Sequence, residues 1–261
     1  MEIVPLQSNL INNIKTQIKM KTLKSILFSL LIVVSLTSCF KNTTVHPSSS
    51  ITTLNKEIYD YEGIDVSSIF NVDIEFSATT ESIEVEANQN LHQYIVIEKV
   101  NNVLRIRLED RVSIEGNCTL KVHIVTKNPL DYYSVSEASS MIFQNSLVAD
   151  DVTINIEGAS YFTGLIESNS INLYMDGSAY ASLEGKTKSI YVDASEASTV
   201  EGFNMIVDNG IFKLSDASKI NLTINETIDI KAIDASVLRY KGNAVITNLD
   251  VSGSSQVIKL D

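Results

Sequence analysis

Ile154-Asn155-Ile156-Glu157-Gly158-Ala159-Ser160 is answered 19 residues later by Leu173-Tyr174-Met175-Asp176-Gly177-Ser178-Ala179. In both stretches two apolar residues, spaced by one, lead into a four-residue corner whose third position is Ala or Ser. The unit recurs through the second half of the chain. Its other corners read Ser136-Glu137-Ala138-Ser139, Asp193-Ala194-Ser195-Glu196, Ser215-Asp216-Ala217-Ser218, Ile233-Asp234-Ala235-Ser236 and Ser252-Gly253-Ser254-Ser255. Their second positions, 137, 158, 177, 194, 216, 234 and 253, are separated by steps of 21, 19, 17, 22, 18 and 19. A period of this length marks a repeat architecture.

The residues before each corner keep one register. Val135, Ile156, Met175, Val192, Leu214, Ala232 and Val251 precede it, and Tyr133, Ile154, Leu173, Ile190, Phe212, Ile230 and Leu249 stand two residues earlier. Apolar residues two apart share one face of a strand. Gly, Asp and Asn at the corner tolerate left-handed backbone. One strand and its corner cannot bury an apolar face alone, whereas stacked copies can. The pattern therefore predicts an all-β chain, a parallel β-solenoid of ~19-residue coils. A β-sandwich would place its turns every 8–12 residues or so and would not keep one column small. That column, Ala138, Ala159, Ser178, Ser195, Ala217, Ala235 and Ser254, is expected to stack inside the corners.

Residues 58–130 are also β-rich but lack the small-residue corner. Ile69–Phe76, Ile83–Glu86 and Val103–Leu108 alternate, and Asn101-Asn102 is a two-residue hairpin signal. These strands are expected to cap the solenoid, residues 131–261, and to form one continuous domain with it, because an open solenoid end exposes unpaired strands.

The N-terminal region has a different character. Lys21 and Lys24 precede an uncharged apolar run from Ile26 to Leu36, followed by Leu36-Thr37-Ser38-Cys39. Basic, hydrophobic and small-residue segments in that order are a secretory signal, here residues 1–38, with Met20 standing where such signals begin. The run is too short to span a bilayer, which needs about 20 residues. Leu36-Thr37-Ser38-Cys39 resembles a bacterial lipobox, which makes Cys39 the expected lipidation site. Residues 39–57, Ser- and Thr-rich, read as the lipidated cysteine and a flexible tether. The expected location is the cell envelope, anchored by lipid at the outer membrane, with its membrane face left open. The net charge of −12 argues against nucleic acid as a partner. With Cys39 lipidated, Cys118 remains, and it reads as a small apolar strand residue.

Gly63-Ile64-Asp65-Val66, the alternating strands, the hairpin, the serial corners and the closing Tyr240-Lys241-Gly242-Asn243-Ala244 and Asp250–Val257 resemble the putative auto-transporter adhesin, head GIN domain family. The resemblance covers roughly residues 60–261 and implies a secreted, lipid-anchored β-helical protein of Bacteroidetes-type bacteria. It brings no catalytic residues, and Ala194, Asp216 and Asp234 depart from the glycine common in the family's corners.

Residue types for catalysis are sparse. His46, His92 and His123 have no partners at metal-ligand or triad spacing, and no HExxH, Walker or CxxC motif occurs. No cofactor or metal is expected. Tyr59-Asp60-Tyr61 and Asp131-Tyr132-Tyr133 place aromatics beside acids, as carbohydrate sites do, but read as packing at a junction. The corner acids Glu137, Glu157, Asp176, Asp193, Asp216 and Asp234 could form a carboxylate ladder for glycoside hydrolysis or calcium binding. They alternate between corner positions, however, and Asp and Glu flank turns for local reasons. The expected function is a non-catalytic adhesin-like module binding surface glycan or protein, the alternative being a pectinase-like enzyme using those acids.

Overall fold

A computed structural model of the chain describes residues 42–127 and 129–261. Cys39 and the signal region lie outside the described residues. The first half contributes β1 (Thr43–Val45), β2 (Ile51–Lys56), β3 (Gly63–Val66), β4 (Asn71–Phe76), β5 (Ser82–Asn88), β6 (Ile95–Val100), β7 (Val103–Leu108), β8 (Val112–Ile114) and β9 (Leu120–Thr126). The second half contributes β10 (Tyr132–Val135), β11 (Ser140–Phe143), β12 (Leu147–Gly158), β13 (Tyr161–Gly177), β14 (Tyr180–Ala194), β15 (Thr199–Leu214), β16 (Lys219–Ala232), β17 (Val237–Lys241), β18 (Val245–Val251) and β19 (Gln256–Lys259). Strands β10 to β19 stack in parallel, coil upon coil, as the β-solenoid the repeat predicts.

Each long strand is one coil bent into two arms. In β13 the buried residues Phe162 and Ile166 alternate with exposed ones, then the alternation shifts by one at 168–170 and resumes as Ile171, Leu173 and Met175. The period of two that hides one face of a strand thus survives the bend, and both arms point their apolar side chains at the same interior. Partners in register form columns, as in Ile154–Leu173–Val192–Phe212–Ile230 before the corner and Phe162–Ala181–Val200–Ile220–Leu238 after it. Large and small residues interleave between coils. Gly164 has no Cβ because one would sit 2.9 Å from the ring of Phe143 in the coil before it.

At the corners two sequence expectations need correction. The fourth corner is Ser195-Glu196-Ala197-Ser198, not Asp193-Ala194-Ser195-Glu196. Glu196 is the residue with positive φ, whereas Ala194 ends β14 with its side chain buried and Ser195 takes the first corner position. The left-handed positions are then 137, 158, 177, 196, 216, 234 and 253, with steps of 21, 19, 19, 20, 18 and 19, a more regular repeat than the sequence suggested. Asp193-Ala194-Ser195 mimics Asp176-Gly177-Ser178, which is what misplaces it.

The second correction concerns the small column. Ala138, Ala159, Ser178, Ala217, Ala235 and Ser254 are exposed. The buried column is the next position along, Ser139, Ser160, Ala179, Ser198, Ser218 and Ser236, each 1% exposed or less. Both positions are small in every corner, so composition does not tell them apart. The third position instead supplies an amide to the coil before it: Ala159, Ala197, Ala217 and Ala235 donate to the carbonyls of Glu137, Gly177, Glu196 and Asp216 at 2.7–2.9 Å. The fourth position closes the turn onto the first, as Ser198 N–H does to Ser195 O at 3.3 Å, and aims inward.

The buried hydroxyls divide in two. Ser236 Oγ reaches Ile233 O at 3.1 Å and Ser255 Oγ at 3.2 Å, while Ser160 and Ser218 Oγ have no partner among the described residues. Burying an unbonded hydroxyl costs free energy, and replacing it with a group of the same shape is neutral or favourable. Ser160→Ala is therefore expected to leave stability unchanged or raise it by up to about 1 kcal/mol, while Ser236→Ala lowers it by about 1 kcal/mol. Thermal melts of the two variants check this, and Ala179 is the native precedent in the same column.

The stack begins earlier than the small-residue corner indicates. Strand β3 pairs in parallel with β10 (Gly63↔Tyr132 to Val66↔Val135), and β4 with β11 (Asn71↔Ser140 to Phe143↔Ile74). Ser68, with φ 80°, is their corner, and its carbonyl accepts the amide of Ala138 at 3.1 Å. Ser67-Ser68-Ile69-Phe70 lacks the Ala/Ser third position, so the pattern passes over it. Strands β7 and β9 add one more parallel layer beneath β3 and β4. Antiparallel partners then cover that end: β6 on β7 through the Asn101-Asn102 turn, whose two residues both have positive φ, and β5 on β9.

Residues 43–56, expected to be tether, are instead folded. Strand β2 lies antiparallel on β5 (Ile51↔Asn88 to Lys56↔Ile83), and β1 pairs with β8. The Asn90 side chain accepts from Ser48 N–H and donates to His46 O, each at 2.8 Å. Low apolar content did not prevent this, because edge pairing is made by backbone groups and Thr suits strands. Cys118 also departs from expectation: it precedes β9 rather than lying in it and is half-buried, and burial pushes its thiol pKa up.

Candidate functional site: the tyrosine strip on the solenoid face

The corner acids were the first candidates for chemistry. Glu137, Glu157, Asp176, Asp216 and Asp234 are all exposed on the corners. Glu157 and Asp176 are register partners, and Asp176 accepts a 2.5 Å hydrogen bond from Ser195 Oγ. Asp216 accepts from Ser215 Oγ at 2.9 Å. The first of these bonds ties two adjacent coils and the second is local to its turn. No group of three His, Cys, Asp or Glu is placed to hold a metal among the described residues. The histidines are scattered: His46 lies 3.7 Å from Glu115, His123 lies 3.8 Å from Glu75, and His92 bonds Thr52. Tyr61 and Tyr133 are buried, as packing requires, whereas Tyr59 is exposed and Tyr132 half-buried; burial pushes the Tyr61 hydroxyl up to about 12.

Asp193 stands apart because it is not at a corner. It is a half-buried outward residue of β14, in a column running Asn155, Tyr174, Asp193, Lys213, Lys231 and Asp250. The neighbouring column holds Tyr132, Thr153, Asn172, Tyr191 and Ile211. Together they make a flat outward strip on the arm before the corner. Tyr174 is 42% exposed, and its ring centroid lies 5.7 Å from that of Tyr191 at 57°. The Tyr191 hydroxyl donates to Asp193 Oδ2 at 2.9 Å, and Lys213 Nζ sits 5.2 Å from the Tyr191 ring centroid. Tyr191 is thereby held at its hydroxyl and over its face, which lowers the entropy a ligand must otherwise remove. The adjacent Tyr191, and then the Asp193 charge, raise the Lys213 pKa above the ordinary lysine value. At the corner end the strip opens into a hollow of about 250 Å³ lined by Asp193, Lys213, Leu214, Ser215, Lys231 and Ile233.

Three larger hollows lack these features; the one of about 410 Å³, lined by Arg107, Asp110, Arg111 and Glu137 among others, has no aromatic, and its Arg107 pairs with Glu98 and Asp110. One of about 480 Å³ at the bend is lined by Val148, Glu167, Lys186, Lys188 and Ile206 among others; Lys186 is committed to Glu167 at 3.0 Å and no aromatic lines the hollow. Another of about 440 Å³ beside Tyr61 and Pro129 is bordered by Glu62, Asp131, Asp150 and Asp151, with no cation or nucleophile. The sequence reading missed the strip because Tyr174 and Tyr191 are 17 residues apart and meet only once the coil register is known.

The stacked coils define a parallel β-solenoid repeat protein. The family model described as putative auto-transporter adhesin, head GIN domain, matches residues 60–244, and the chain belongs to that family. Solved structures of similar fold include a putative adhesin from Bacteroides fragilis (TM-score 0.74, 18% identity, 83% of this chain and 100% of that one). A putative adhesin from Parabacteroides distasonis has a TM-score of 0.66 at 18% identity over 83% of this chain and 100% of its own. A putative lipid binding protein from the same species has a TM-score of 0.66 at 16% identity over 84% of this chain and 100% of its own. At these identities the likeness is one of fold. No curated protein matches the chain.

Proposed function

We propose that the chain is a non-catalytic cell-envelope module, adhesin-like, that holds a surface glycan or protein on the outward face of its solenoid and is tethered to the outer membrane by lipid on Cys39. The observation that carries this reading is the held pair Tyr174 and Tyr191 beside Asp193 and Lys213, a set of groups that can stack against a ligand and bond it. Family membership supports the adhesin-like class, and the lipobox-like Leu36-Thr37-Ser38-Cys39 supports the anchor. Among the described residues no helix is long and apolar enough to cross a membrane.

The enzyme alternative would use the corner acids. General acid–base work needs two carboxyl groups in contrasting environments. The corner acids Glu137, Glu157, Asp176, Asp216 and Asp234 share one environment, all of them exposed. Incubation with a polysaccharide panel, read both as binding and as reducing-sugar release, is expected to give binding without release. Release abolished by Asp176→Asn or Asp193→Asn would replace this reading with the enzyme. For the anchor, Cys39→Ser is expected to move the protein from the membrane fraction to the soluble fraction, since acyl chains supply the attachment. Retention in membranes with unchanged gel mobility would remove the lipid from the account.

A further inference from the structure

Lys213 and Lys231 are register partners on adjacent coils, and theirs is the one cation–cation pairing in the ladder registers of the described residues. Neighbouring strands lie about 4.8 Å apart, and like charges set directly opposite destabilise a sheet. The chain as a whole carries −12. Flanking acids offset the pair only in part. Asp193 is engaged by the Tyr191 hydroxyl, and Asp250 reaches Lys231 at 4.0 Å with both side chains mostly exposed, a weak contact. Lys213 lies over an aromatic ring and makes no ion pair within 4.0 Å among the described residues. Both lysines line the hollow that ends the tyrosine strip.

We infer that this strip is a site for a carboxylate-bearing glycan, with sugar rings laid on Tyr174 and Tyr191 and the sugar carboxylate received between Lys213 and Lys231. The inference rests on the binding-module reading above and names its ligand. Three features select this chemistry. Tyrosine offers a sugar an apolar face to lie on and a hydroxyl at its edge. Asn155, Asn172, Asp193 and Ser215 border the path with the mixed donors and acceptors that ring hydroxyls require. Ammonium groups, finally, bond a carboxylate more strongly than a neutral oxygen. A protein partner fits less well. The face is the middle of a sheet whose backbone is already paired, so no strand can be added, and the large apolar side chain most exposed beside the tyrosines is Ile211 alone. The path crosses coils from Tyr174 to Lys231, so the glycan runs along the solenoid axis, with successive sugars meeting successive coils.

The test uses the full chain on an array of uronate- and sialate-bearing glycans, each beside its methyl-esterified counterpart, with the best acidic binder followed by calorimetry. Binding of acidic forms is expected, weakened roughly tenfold or more by esterification, by Lys213→Gln and by Tyr174→Ala. Raised salt is expected to weaken it as well. Tyr161→Ala removes the exposed member of the aromatic pair on the other arm, Tyr161 and Tyr180, and is expected to leave affinity unchanged. All three positions are exposed, so melts of the variants matching wild type establish that folding is intact. Equal binding of the esters, indifference to Lys213→Gln and Tyr174→Ala, tighter binding of polyglutamate, or no binding of any acidic glycan would each overturn the inference. Binding of a neutral glycan or a protein overturns the ligand assignment and leaves the module reading intact, whereas cleavage of the glycan overturns the module reading itself.

Discussion

Phe143→Ala is expected to destabilise the chain by about 3–5 kcal/mol. Phe143 ends β11 and is 6% exposed. Its ring meets Phe76 at 5.1 Å, Tyr133 at 4.8 Å and Phe162 at 4.9 Å, at interplanar angles of 85°, 61° and 81°. Edge-to-face pairs add to the gain from burying the ring area itself. Phe76 belongs to β4, Tyr133 to β10 and Phe162 to β13, so the one side chain joins the first-half strands to the repeats. Gly164 leaves the space the ring fills. A melting temperature lower by about 10 °C, in a single transition, is the expected reading by calorimetry. A loss under about 1 kcal/mol would mean that this ring does not bridge the two regions.

A second large effect lies one peptide bond from a small one. Ser218→Leu puts a branched side chain into a fully buried corner position, between Ser198 and Ser236 of the adjacent coils. Overpacking of this kind costs about 1–3 kcal/mol, and here backbone on both sides resists relaxation. Ala217→Leu places the same side chain on an exposed position and is expected to stay within about 0.5 kcal/mol of wild type. Chemical denaturation of the pair measures both. Equal losses would put the buried column back at the third position, where the sequence alone had placed it.

The contrast shows what the chain makes legible. Alternation before the corners, Tyr133 with Val135 or Ile154 with Ile156, is a direct consequence of strand geometry and yields the fold without coordinates. The period does the same for the parallel stacking. Four features were hidden for physical reasons. Two adjacent small residues are alike in composition although one faces solvent and the other the core. Ala194 before Ser195 imitates the corner it precedes. Ser67-Ser68-Ile69-Phe70 carries large apolar residues at the two positions where later corners carry small ones, so the coil containing β3 and β4 carried no repeat signal. Residues 43–56 fold through backbone pairing, which leaves little trace in hydropathy. The tyrosine strip was out of reach for a further reason: Tyr174 and Tyr191 become neighbours only through inter-coil register, and a shift of one residue would move them to opposite faces.

One continuous stack runs from the coil of β3 and β4 to the last repeats. Native-state hydrogen exchange at the corner amides measures this most directly. The amide of Ala138 donates to Ser68 O at 3.1 Å, just as Ala197 donates to Gly177 O at 2.9 Å and Ala217 to Glu196 O at 2.8 Å. Protection of Ala138 comparable to that of Ala197 and Ala217 is the predicted result, since all three bonds break only when stacked coils separate. Exchange of Ala138 at the rate of an open loop, with Ala197 and Ala217 protected, would contradict it.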